Sequence, residues 1–477
     1  MTEGWKKAFA PIRRVLFFLP GPYVYEDRCQ TYIGRGSLFS FREPPEETQG
    51  AAILGERGVQ CAILHRAARR ASPSSALRDI AAFAPDLVIL SSTFPGHPQD
   101  LSWAEAIKKK APGTRVLARG GHHAFIDREN LLERFPALDG LIRGETEWVL
   151  ENLDLENPLG SPGTTWRTRE GLIEGEDPSF WEDLDTLPPP ARGFLFARDY
   201  PSPDTGRPMA TVNASRGCLH SCSFCLAPLV CGSNFRLRSP KSVTAEILRC
   251  RRELGVNSFF LRAENLATPR GWLHRLCENL AQEAPGIRFV CSARADDLDE
   301  ESVMALAEAG CWGIGMGMES GSSSTQEKIR KNLSGDNAKR AIRLCRKHNI
   351  LTLAYYMIGF PWETREDIEE TIRFARDLQS PVQEFFFPYP YPGTPLYDLA
   401  LESMVLGESA PPPRAQQVPV FLPKGMTRNE LVLIRAQARL DPRALFRGAS
   451  AVLRRTETPG EALRVFLRLA RGVKTLA

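Results

Sequence analysis

The stretch Cys218-Leu219-His220-Ser221-Cys222-Ser223-Phe224-Cys225 places three cysteines within eight residues of a 477-residue chain that has 11 cysteines in all. It follows a short apolar run, Met209 to Asn213, and a turn at Arg216-Gly217. Three thiolates on one tight loop can hold an inorganic centre. In a four-iron cluster, three cysteines leave one iron without a protein ligand, as a catalytic zinc keeps one position open. The stretch therefore predicts a centre with a position free for chemistry.

Three other interpretations compete for these cysteines. A zinc site would need a fourth ligand, which Cys231 or His220 could supply, but structural zinc prefers paired ligands on two separate loops. A thioredoxin-type pair formed by Cys222 and Cys225 would leave Cys218 unexplained. The third alternative is three unconnected buried thiols.

The spacing C-x3-C-x-aromatic-C, with Phe224 as the aromatic residue, resembles the signature of radical SAM enzymes. The resemblance implies a [4Fe-4S] cluster bound by Cys218, Cys222 and Cys225. The open iron of that cluster would bind the amino and carboxyl groups of S-adenosylmethionine (SAM), with Phe224 among the SAM-binding residues. An electron donor such as flavodoxin or ferredoxin is implied as a partner.

The totals describe an ordinary globular chain, with 43% hydrophobic and 25% charged residues. Its length predicts two or three domains. The net charge of +4 gives no reason to expect a nucleic-acid partner. No apolar run approaches a membrane span, no signal peptide is visible, and scattered cysteines in odd number favour a reducing cytoplasm.

The N-terminal part alternates short apolar runs with helical patterns over residues 10–150. The run Val15 to Leu19 ends at Pro20-Gly21-Pro22, and Leu87 to Leu90 runs into Ser91-Ser92-Thr93. Such alternation predicts a doubly wound, Rossmann-like parallel sheet with ligand-binding loops at the carboxyl ends of its strands. The dinucleotide fingerprint G-x-G-x-x-G is missing after the first strand, which disfavours nicotinamide and flavin dinucleotides.

The order of these loops resembles a cobalamin-binding domain. Small or polar residues follow three successive strands, and the resemblance makes them the candidate cobalamin-binding residues: Ser91, Ser92, Thr93, Gly120, Gly121, Gly144 and Glu145. Small residues there let a nucleotide tail approach the backbone. The alternative is ordinary loops at the top of a sheet. The cobalt-ligating D-x-H-x-x-G motif is absent after the first strand, as is usual in the radical SAM group. His122 and His123 lack an evident carboxylate partner, and we assign the loop Tyr25 to Gln30 no mechanism.

Residues 151–203 are irregular and proline-rich, which predicts a semi-rigid linker that carries a small hairpin over Thr164 to Ile173. Residues 204–400 then contain six further strand and helix patterns, which predict a partial (β/α)6 barrel with active-site groups at the carboxyl ends of its strands. Residues 401–477 are predicted to form a helical, basic C-terminal region.

Polar residues follow the barrel strands where the resemblance places SAM. The acidic residue of Gly315-Met316-Gly317-Met318-Glu319-Ser320 resembles the one that approaches the ribose or amine of SAM, and Gly359-Phe360-Pro361-Trp362-Glu363-Thr364 resembles the family's adenine turn. The candidate SAM-binding residues are Phe224, Glu264, Arg294, Glu319, Ser320 and Gly359. Two alternatives stay open: Glu319 could form a barrel-end salt bridge, and Arg294 could pair with Asp296.

The resemblance implies a cobalamin-dependent radical SAM enzyme, and the leading hypothesis is a C-methyltransferase. A 5'-deoxyadenosyl radical would abstract hydrogen from an unactivated carbon, and methylcobalamin would supply the methyl group. The alternatives are an oxidative cyclase or rearrangement enzyme of tetrapyrrole or lipid metabolism, and a non-catalytic cobalamin or Fe-S sensor. The aromatic run Phe385-Phe386-Phe387 with Tyr389 indicates a large apolar substrate, lipid-like or tetrapyrrole, although a buried strand would look the same.

The tail segment Leu463 to Lys474 interleaves apolar residues with arginines and a lysine. This basic amphipathic pattern is typical of peripheral contact with an anionic membrane, and it equally suits a cap on the barrel. The expected location is therefore the cytoplasm, with membrane association as a second expectation.

Overall fold

The computed structural model of the protein describes residues 10–22, 41–93, 97–120, 128–232, 234–402 and 418–453, together with residues 458 and 460. These residues form two compact units. The first contains Glu43–Asp199 and Leu229–Gly232 along with the first strand, and the second contains Tyr200–Pro228 and most of the chain beyond residue 233.

The first unit is built on a seven-stranded sheet whose order is β2-β1-β3-β4-β5-β6-β7. Strands β1 to β5 are parallel, and β6 and β7 are antiparallel. The strands are Arg14–Leu19 (β1), Gln60–His65 (β2), Leu87–Ser91 (β3), Arg115–Arg119 (β4), Gly140–Ile142 (β5), Thr164–Thr168 (β6) and Gly171–Glu174 (β7). The helices are Pro45–Glu56 (α1), Pro73–Phe83 (α2), His97–Leu101 (α3), Trp103–Lys110 (α4), Arg128–Arg134 (α5) and Thr146–Glu151 (α6).

Successive residues of β1 supply both faces of this sheet because side chains alternate along a strand. Phe17 packs in one apolar cluster with Ile53 of α1, and Phe18 packs in the other with Ile80 of α2. The near-continuous apolar runs of the sequence therefore mark a sheet covered on both sides. The predicted doubly wound fold is confirmed.

The hairpin formed by β6 and β7 corrects the predicted linker. Its first strand pairs with β5, from Gly140 opposite Trp166 to Ile142 opposite Thr164, so the hairpin continues the sheet. Trp166 is fully buried, and Arg143 donates to the carbonyl of Gly175 at 2.5 Å and to Asp177 at 2.5 Å. The predicted hairpin over Thr164 to Ile173 is thus present, but it belongs to the sheet of the first unit and not to a linker. Composition does not reveal which edge a hairpin joins.

The second unit has a six-stranded parallel sheet in the order β15-β14-β13-β12-β11-β8. Its strands are Met209–Asn213 (β8), Ser258–Arg262 (β11), Arg288–Ser292 (β12), Cys311–Glu319 (β13), Leu351–Met357 (β14) and Val382–Phe386 (β15). A separate two-stranded ribbon joins Ser215–Arg216 (β9) to Arg236–Leu237 (β10). Because β8 and β15 remain at the two edges, the barrel is open, as predicted.

Helices connect the barrel strands, and many begin at a side-chain cap. Ser239 caps one helix by accepting from the Ser242 amide, and Thr364 forms a reciprocal capping box with Asp367. The helices are Ala227–Cys231 (α7), Pro240–Leu254 (α8), Arg270–Glu283 (α9), Glu300–Glu308 (α10), Ser323–Lys328 (α11), Gly335–Lys347 (α12), Arg365–Leu378 (α13), Pro395–Glu402 (α14), Arg428–Arg439 (α15) and Pro442–Leu453 (α16).

The C-terminal helices α15 and α16 pack on β15, which covers one edge of the open barrel. The predicted helical C-terminal region is thus present over residues 428–453, and the tail segment 463–474 lies outside the described residues. Within the described part of the chain, no helix has the length and apolar character needed to cross a membrane.

Candidate functional site

The three-cysteine loop leaves the carboxyl end of β8 through a turn that only glycine suits. Gly217 has φ of +85°, and a Cβ there would overlap the carbonyl oxygen of Asn234. Backbone hydrogen bonds then hold the middle of the loop. The Ser223 amide donates to the Ile329 carbonyl at 3.0 Å, and the Leu396 amide donates to the Ser223 carbonyl at 3.0 Å. The loop is therefore held from two later parts of the barrel.

The loop's three cysteines are partly accessible, and Cys222 and Cys225 flank one turn. The Cys225 amide donates to the Cys222 carbonyl at 3.1 Å, and the Ala227 amide donates to Cys225 Sγ at 3.4 Å. Burial raises the pKa of Cys222, and raises the pKa of Cys225 to about 12. Both thiols therefore keep their protons at neutral pH unless a metal displaces them.

The donor set fits an iron-sulfur cluster with one open iron. Within the described ranges, no three His, Cys, Asp or Glu side chains surround one point as a single metal ion requires. A four-iron cluster does not need such convergence, because each thiolate binds a different iron. The sequence offered two residues to complete a zinc site, His220 and Cys231. His220 Nε2 lies 4.0 Å from Asp297 Oδ2, and Cys231 is buried in α7.

Glu319 lies at the end of β13 in a left-handed conformation with φ of +60°, which is uncommon for a residue other than glycine. Its carboxylate folds back over Gly317, and a Cβ on Gly317 would overlap Glu319 Oε1. The same carboxylate oxygen lies 3.2 Å from Lys331 Nζ, and both side chains are about nine-tenths buried. The salt bridge considered from the sequence is therefore present, with Lys331 as its partner.

Gln326 ties the Lys331 loop to the strand that carries Glu319. Its side-chain nitrogen donates to the carbonyls of Met318 and Ser320 at 2.7 and 2.6 Å. Its backbone carbonyl accepts from the Lys331 amide at 3.1 Å. One buried amide thus sets the distance between the two charged side chains.

Arg294, at the end of β12, forms a bidentate pair with Asp296 at 3.0 and 2.7 Å and donates to the Lys331 carbonyl at 2.8 Å. The alternative pairing with Asp296 is thus the one observed. Next to it, Asp297 accepts from Asn265 at 2.5 Å and from Thr268 at 3.1 Å. The strand ends therefore carry a connected set of charged groups.

The turn after β14 uses Glu363 to hold its backbone. Gly359 has φ of +93°, and the amides of Gly359 and Phe360 donate to Glu363 Oε2 at 2.7 and 3.0 Å. Glu363 is 1% exposed, and burial raises its pKa to about 7 against the opposing effect of these two amides. Trp362 stacks on Phe360 at 5.0 Å, and Phe224 of the cysteine loop packs against the same apolar cluster.

The other two candidate SAM-binding residues are Glu264 and Ser320. Glu264 is half-buried just beyond the end of β11. The Ser320 hydroxyl lies 2.9 Å from the Thr371 hydroxyl and accepts from the Ser322 amide at 3.1 Å. Its side chain therefore supports the turn into α11.

At the carboxyl edge of the first sheet, two candidate side chains are used inside the unit. The Ser91 hydroxyl donates to Glu47 at 2.5 Å, and Arg119 pairs with the same Glu47. Glu145 accepts from the Trp181 amide at 3.0 Å and is 2% exposed. The Ser91 hydroxyl and the Glu145 carboxylate are therefore engaged in hydrogen bonds within the first unit.

Other candidates at this edge suit a bound group. Gly120 has φ of +150°, and a Cβ there would overlap the Ser92 carbonyl, so the two loops touch at backbone level. The Thr93 hydroxyl is buried and has no hydrogen-bond partner among the described residues. Gly144 has φ of +80°. Gly121, His122, His123 and the loop 25–30 lie outside the described residues.

Four further residues belong to the barrel site but were not candidates from the sequence: Lys331, Gln326, Asp297 and Glu363. Only Glu363 had a signal, since it stands within the quoted turn motif. Lys331 has none, because it lies in the loop between α11 and α12 and its partner Glu319 is twelve residues away.

Comparisons with known proteins agree with this geometry. Residues 212–375 match the radical SAM superfamily, which places the three cysteines, Glu319, Lys331 and Glu363 inside the matched region. An uncharacterised methyltransferase of Pyrococcus horikoshii is 27% identical over 333 residues, covering 68% of this chain and 71% of that one. The anaerobic magnesium-protoporphyrin IX monomethyl ester cyclase of Cereibacter sphaeroides is 29% identical over 362 residues, covering 73% of this chain and 58% of that one.

Among solved structures, the radical SAM methyltransferase TsrM of Kitasatospora setae shares the fold. Its structure with tryptophan and a SAM analogue bound superposes on this chain with a TM-score of 0.66 at 19% identity, covering 84% of this chain and 78% of that one. With cobalamin and a [4Fe-4S] cluster bound, its TM-score is 0.65 at 18% identity, covering 84% of this chain and 76% of that one. The likeness extends over most of both chains and concerns the fold.

Proposed function

Because this chain belongs to the radical SAM superfamily and has the fold of its cobalamin-binding members, we propose that it is a cobalamin-dependent radical SAM C-methyltransferase. Its substrate is a small molecule with an unactivated carbon to be methylated. The observation that carries the proposal is the three-thiol loop of Cys218, Cys222 and Cys225, which later parts of the same barrel hold in place. Glu319 and Lys331 lie in that barrel as a buried pair of opposite charges.

In this proposal, the three cysteines hold the cluster. When bound, the cluster and one SAM supply a 5'-deoxyadenosyl radical, and cobalamin carries a methyl group taken from a second SAM. Glu319 accepts hydrogen bonds from the SAM ammonium, and Lys331 binds the SAM carboxylate. The pair suits an amino-acid zwitterion. The negative Glu319 is opposite in charge to the SAM ammonium, and the positive Lys331 is opposite in charge to the SAM carboxylate.

Two neighbouring features orient the rest of SAM. The Gly359 turn, closed by Glu363, presents backbone to the adenine, and Phe224 packs on the same apolar cluster as that turn. In the first unit, the backbone around Ser92 and Gly120 and the Thr93 hydroxyl hold the cobalamin tail. Each site would therefore restrict the cofactor that it holds to one orientation.

The second candidate function is an oxidative cyclase without methyl transfer. The observation in its favour is the 29% identity to the anaerobic cyclase of Cereibacter sphaeroides. The methyltransferase is preferred because another sequence relative and the structural neighbour both carry that activity in their names. A cobalamin or Fe-S sensor without turnover is the third possibility.

One experiment separates the three functions without knowledge of the substrate. The full chain is reconstituted without oxygen with iron, sulfide and cobalamin, then given a strong reductant and SAM labelled with CD3. A methyltransferase forms 5'-deoxyadenosine and also S-adenosylhomocysteine, with the CD3 label recovered on cobalamin by mass spectrometry. A cyclase forms only 5'-deoxyadenosine, and a sensor forms neither product. Absence of 5'-deoxyadenosine overturns the proposal, and absence of label transfer overturns its methyltransferase part.

The proposal includes two partners. A one-electron donor of the flavodoxin or ferredoxin type reduces the cluster. The basic amphipathic segment 463–474, which lies outside the described residues, contacts an anionic membrane surface. Sedimentation with vesicles of phosphatidylglycerol, compared with vesicles of phosphatidylcholine, tests the second contact.

A further inference from the structure

A cavity of about 350 Å³ opens at the amino ends of three neighbouring strands of the barrel. Ser258, the first residue of β11, stands in register with Met209 at the start of β8 and with Arg288 at the start of β12. Ser258 and Arg288 line this cavity, which we call the basal cavity. The cysteine loop leaves the other end of β8, and a strand of this length spans roughly 16 Å. The basal cavity is therefore separate from the proposed site of reaction.

The basal cavity has a basic lining. Three of the described residues that line it are arginines, and none is acidic. The three come from separate elements: Arg207 from the turn before β8, Arg251 from the last turn of α8, and Arg288 from β12. Arg207, which has a further interaction within the chain, forms part of the wall. Arginine side chains are positively charged throughout the physiological pH range, so the cavity favours anions.

The end of α8 carries three arginines, and only one of them lines the basal cavity. Arg249 and Arg252 both pair with Glu253, at 2.9 and 3.2 Å. No described residue forms a hydrogen bond or an ion pair with the Arg251 side chain. The helix end is capped by the Gly255 amide, which donates to the Arg251 carbonyl at 3.1 Å. The Arg251 guanidinium is thus available to a ligand.

Arg288 is held in position by a buried carboxylate. Its Nη2 lies 2.7 Å from Asp204 Oδ2, and the Asp204 side chain is fully buried while that of Arg288 is one-quarter exposed. The Ser202 hydroxyl also donates to Asp204, and the Ser202 amide donates to the Arg207 carbonyl at 2.7 Å. The turn before β8 therefore fixes Arg288 before a ligand arrives. Such preorganisation lowers the entropic cost of binding.

We propose that the basal cavity binds the phosphate group of a small phosphorylated molecule. Guanidinium groups from separate elements suit a tetrahedral phosphate better than a planar carboxylate, because the phosphate oxygens point in different directions. The volume exceeds that of a phosphate group and lies in the range of small-molecule sites. Pro208 and Pro285 give the rest of the molecule an apolar wall.

This site goes beyond the proposed function, because it neither holds a cofactor of the reaction nor contacts the reacting groups. The ligand bridges α8, β12 and the turn before β8. Because it binds the folded chain, it stabilises the barrel.

The test compares three probes that share a benzene ring: phenyl phosphate, benzoate and benzyl alcohol. Their binding to the full chain, loaded with cluster and cobalamin, is measured by isothermal titration calorimetry in a buffer without phosphate. We expect phenyl phosphate to bind about 10-fold tighter than benzyl alcohol, as for hydrogen bonds to a charged group. Benzoate should bind more weakly than phenyl phosphate. Inorganic phosphate should also bind more weakly, because it lacks the ring that packs on the prolines.

Two variants locate the probe. Arg251→Gln should weaken phenyl phosphate about 10-fold, whereas Arg252→Gln, which changes the neighbouring arginine paired with Glu253, should bind it like the wild type. Asn257→Trp places a large ring on the exposed rim of the basal cavity. It should abolish binding, and with it the rise in Tm that phenyl phosphate causes in the wild type, while the iron content is retained.

Three results would overturn the inference: no binding of phenyl phosphate to the wild type, wild-type affinity in Arg251→Gln or Asn257→Trp, or benzoate or inorganic phosphate binding as tightly as phenyl phosphate. Failure of the proposed function is seen separately, as absence of 5'-deoxyadenosine from the wild-type chain, and it leaves the binding of phenyl phosphate unchanged.

Discussion

The carboxyl ends of the barrel strands and the carboxyl edge of the first sheet are two versions of one architectural position, yet they are built differently. At the barrel, charged side chains from separate loops meet, as Glu319 and Lys331 do at 3.2 Å. At the first sheet, Ser91 and Glu145 turn their side chains inward, to Glu47 and to the Trp181 amide. Among the described candidates left at that edge, Gly120 and Gly144 offer backbone, and Ser92 and Thr93 each carry a hydroxyl.

This difference matches what the proposed function would require of each site. A site that cleaves SAM must fix both ends of a small zwitterion, and charged side chains can do so with geometric precision. A site that holds a large cofactor gains affinity from a wide, close surface, for which glycines and small residues leave room. The barrel is therefore expected to be sensitive to changes of charge, and the first sheet to changes of volume.

The largest effect is expected for a substitution that disrupts the barrel site and leaves the first sheet intact. Cys222→Ala removes one of the three proposed cluster ligands, and we expect iron content to fall below half and formation of 5'-deoxyadenosine to fall roughly 100-fold or more. Cobalamin binding, measured by absorbance after gel filtration, should remain. Cys277→Ala, which changes a buried cysteine of α9, serves as the control and should keep both its iron content and its formation of 5'-deoxyadenosine. Retention of cluster and SAM cleavage in Cys222→Ala would contradict the assignment.

The next effect tests the charge pair. Glu319→Gln and Lys331→Met should each weaken SAM binding about 10- to 100-fold, because each removes a hydrogen bond to a charged group in a buried place. SAM-induced changes in the EPR spectrum of the reduced cluster provide the measurement. Arg330→Gln, an exposed neighbour of Lys331, is the matched control. If either variant binds SAM like the wild type, the pair is only a structural salt bridge.

At the first sheet, a larger side chain at the carboxyl edge should weaken cobalamin binding. Gly120→Ala introduces a Cβ that overlaps the Ser92 carbonyl at φ of +150°, which costs about 1–3 kcal/mol of strain. We expect cobalamin binding to weaken about 10-fold while iron content and SAM binding stay unchanged. Gly113→Ala lies in the same unit with nothing within 4 Å of its Cβ and should bind cobalamin normally. Equal affinity in the two variants would argue against a backbone-built site.

The smallest effect concerns pH. The pKa of Glu363 rises from 4.5 to about 7 in the folded chain, so between these values the folded state binds a proton that the unfolded state has lost. This contribution to stability is therefore fully present below about pH 4.5 and is lost as the pH rises through 7. Relative to Glu363→Gln, the wild-type chain should lose on the order of 2 kcal/mol between pH 5 and 8.

Urea unfolding of the two proteins at several pH values measures this loss. Glu366→Gln, an exposed carboxylate of α13, is the control and should follow the wild type. Parallel pH profiles for the wild type and Glu363→Gln would show that Glu363 ionises in the fold as it does in water.

Most of the secondary structure could be predicted because its causes are local. Apolar runs mark β1, β3 and β8, and the spacing of the three cysteines needs only eight residues of sequence. Pairing between distant segments has no such local signature. The hairpin β6-β7 could be seen, but its attachment to β5 depends on residues more than twenty positions away.

The same limit explains the site residues. The sequence could offer both interpretations of Arg294 but could not choose the pair with Asp296, since the choice depends on the position of the Lys331 carbonyl. Lys331 itself stands in no recognisable spacing. The inward orientation of the Ser91 side chain depends on Glu47, which lies 44 positions earlier on α1. The sequence does not state where α1 packs.

The attachment of α15 to β15 also concerns the order in which the chain is made. The cysteine loop leaves the ribosome some two hundred residues before helix α15 does. A nascent chain therefore carries all three loop cysteines well before the helices that pack on β15 exist. A chain that stops before these helices would present the edge strand β15 uncovered, which is the kind of edge that pairs with other chains.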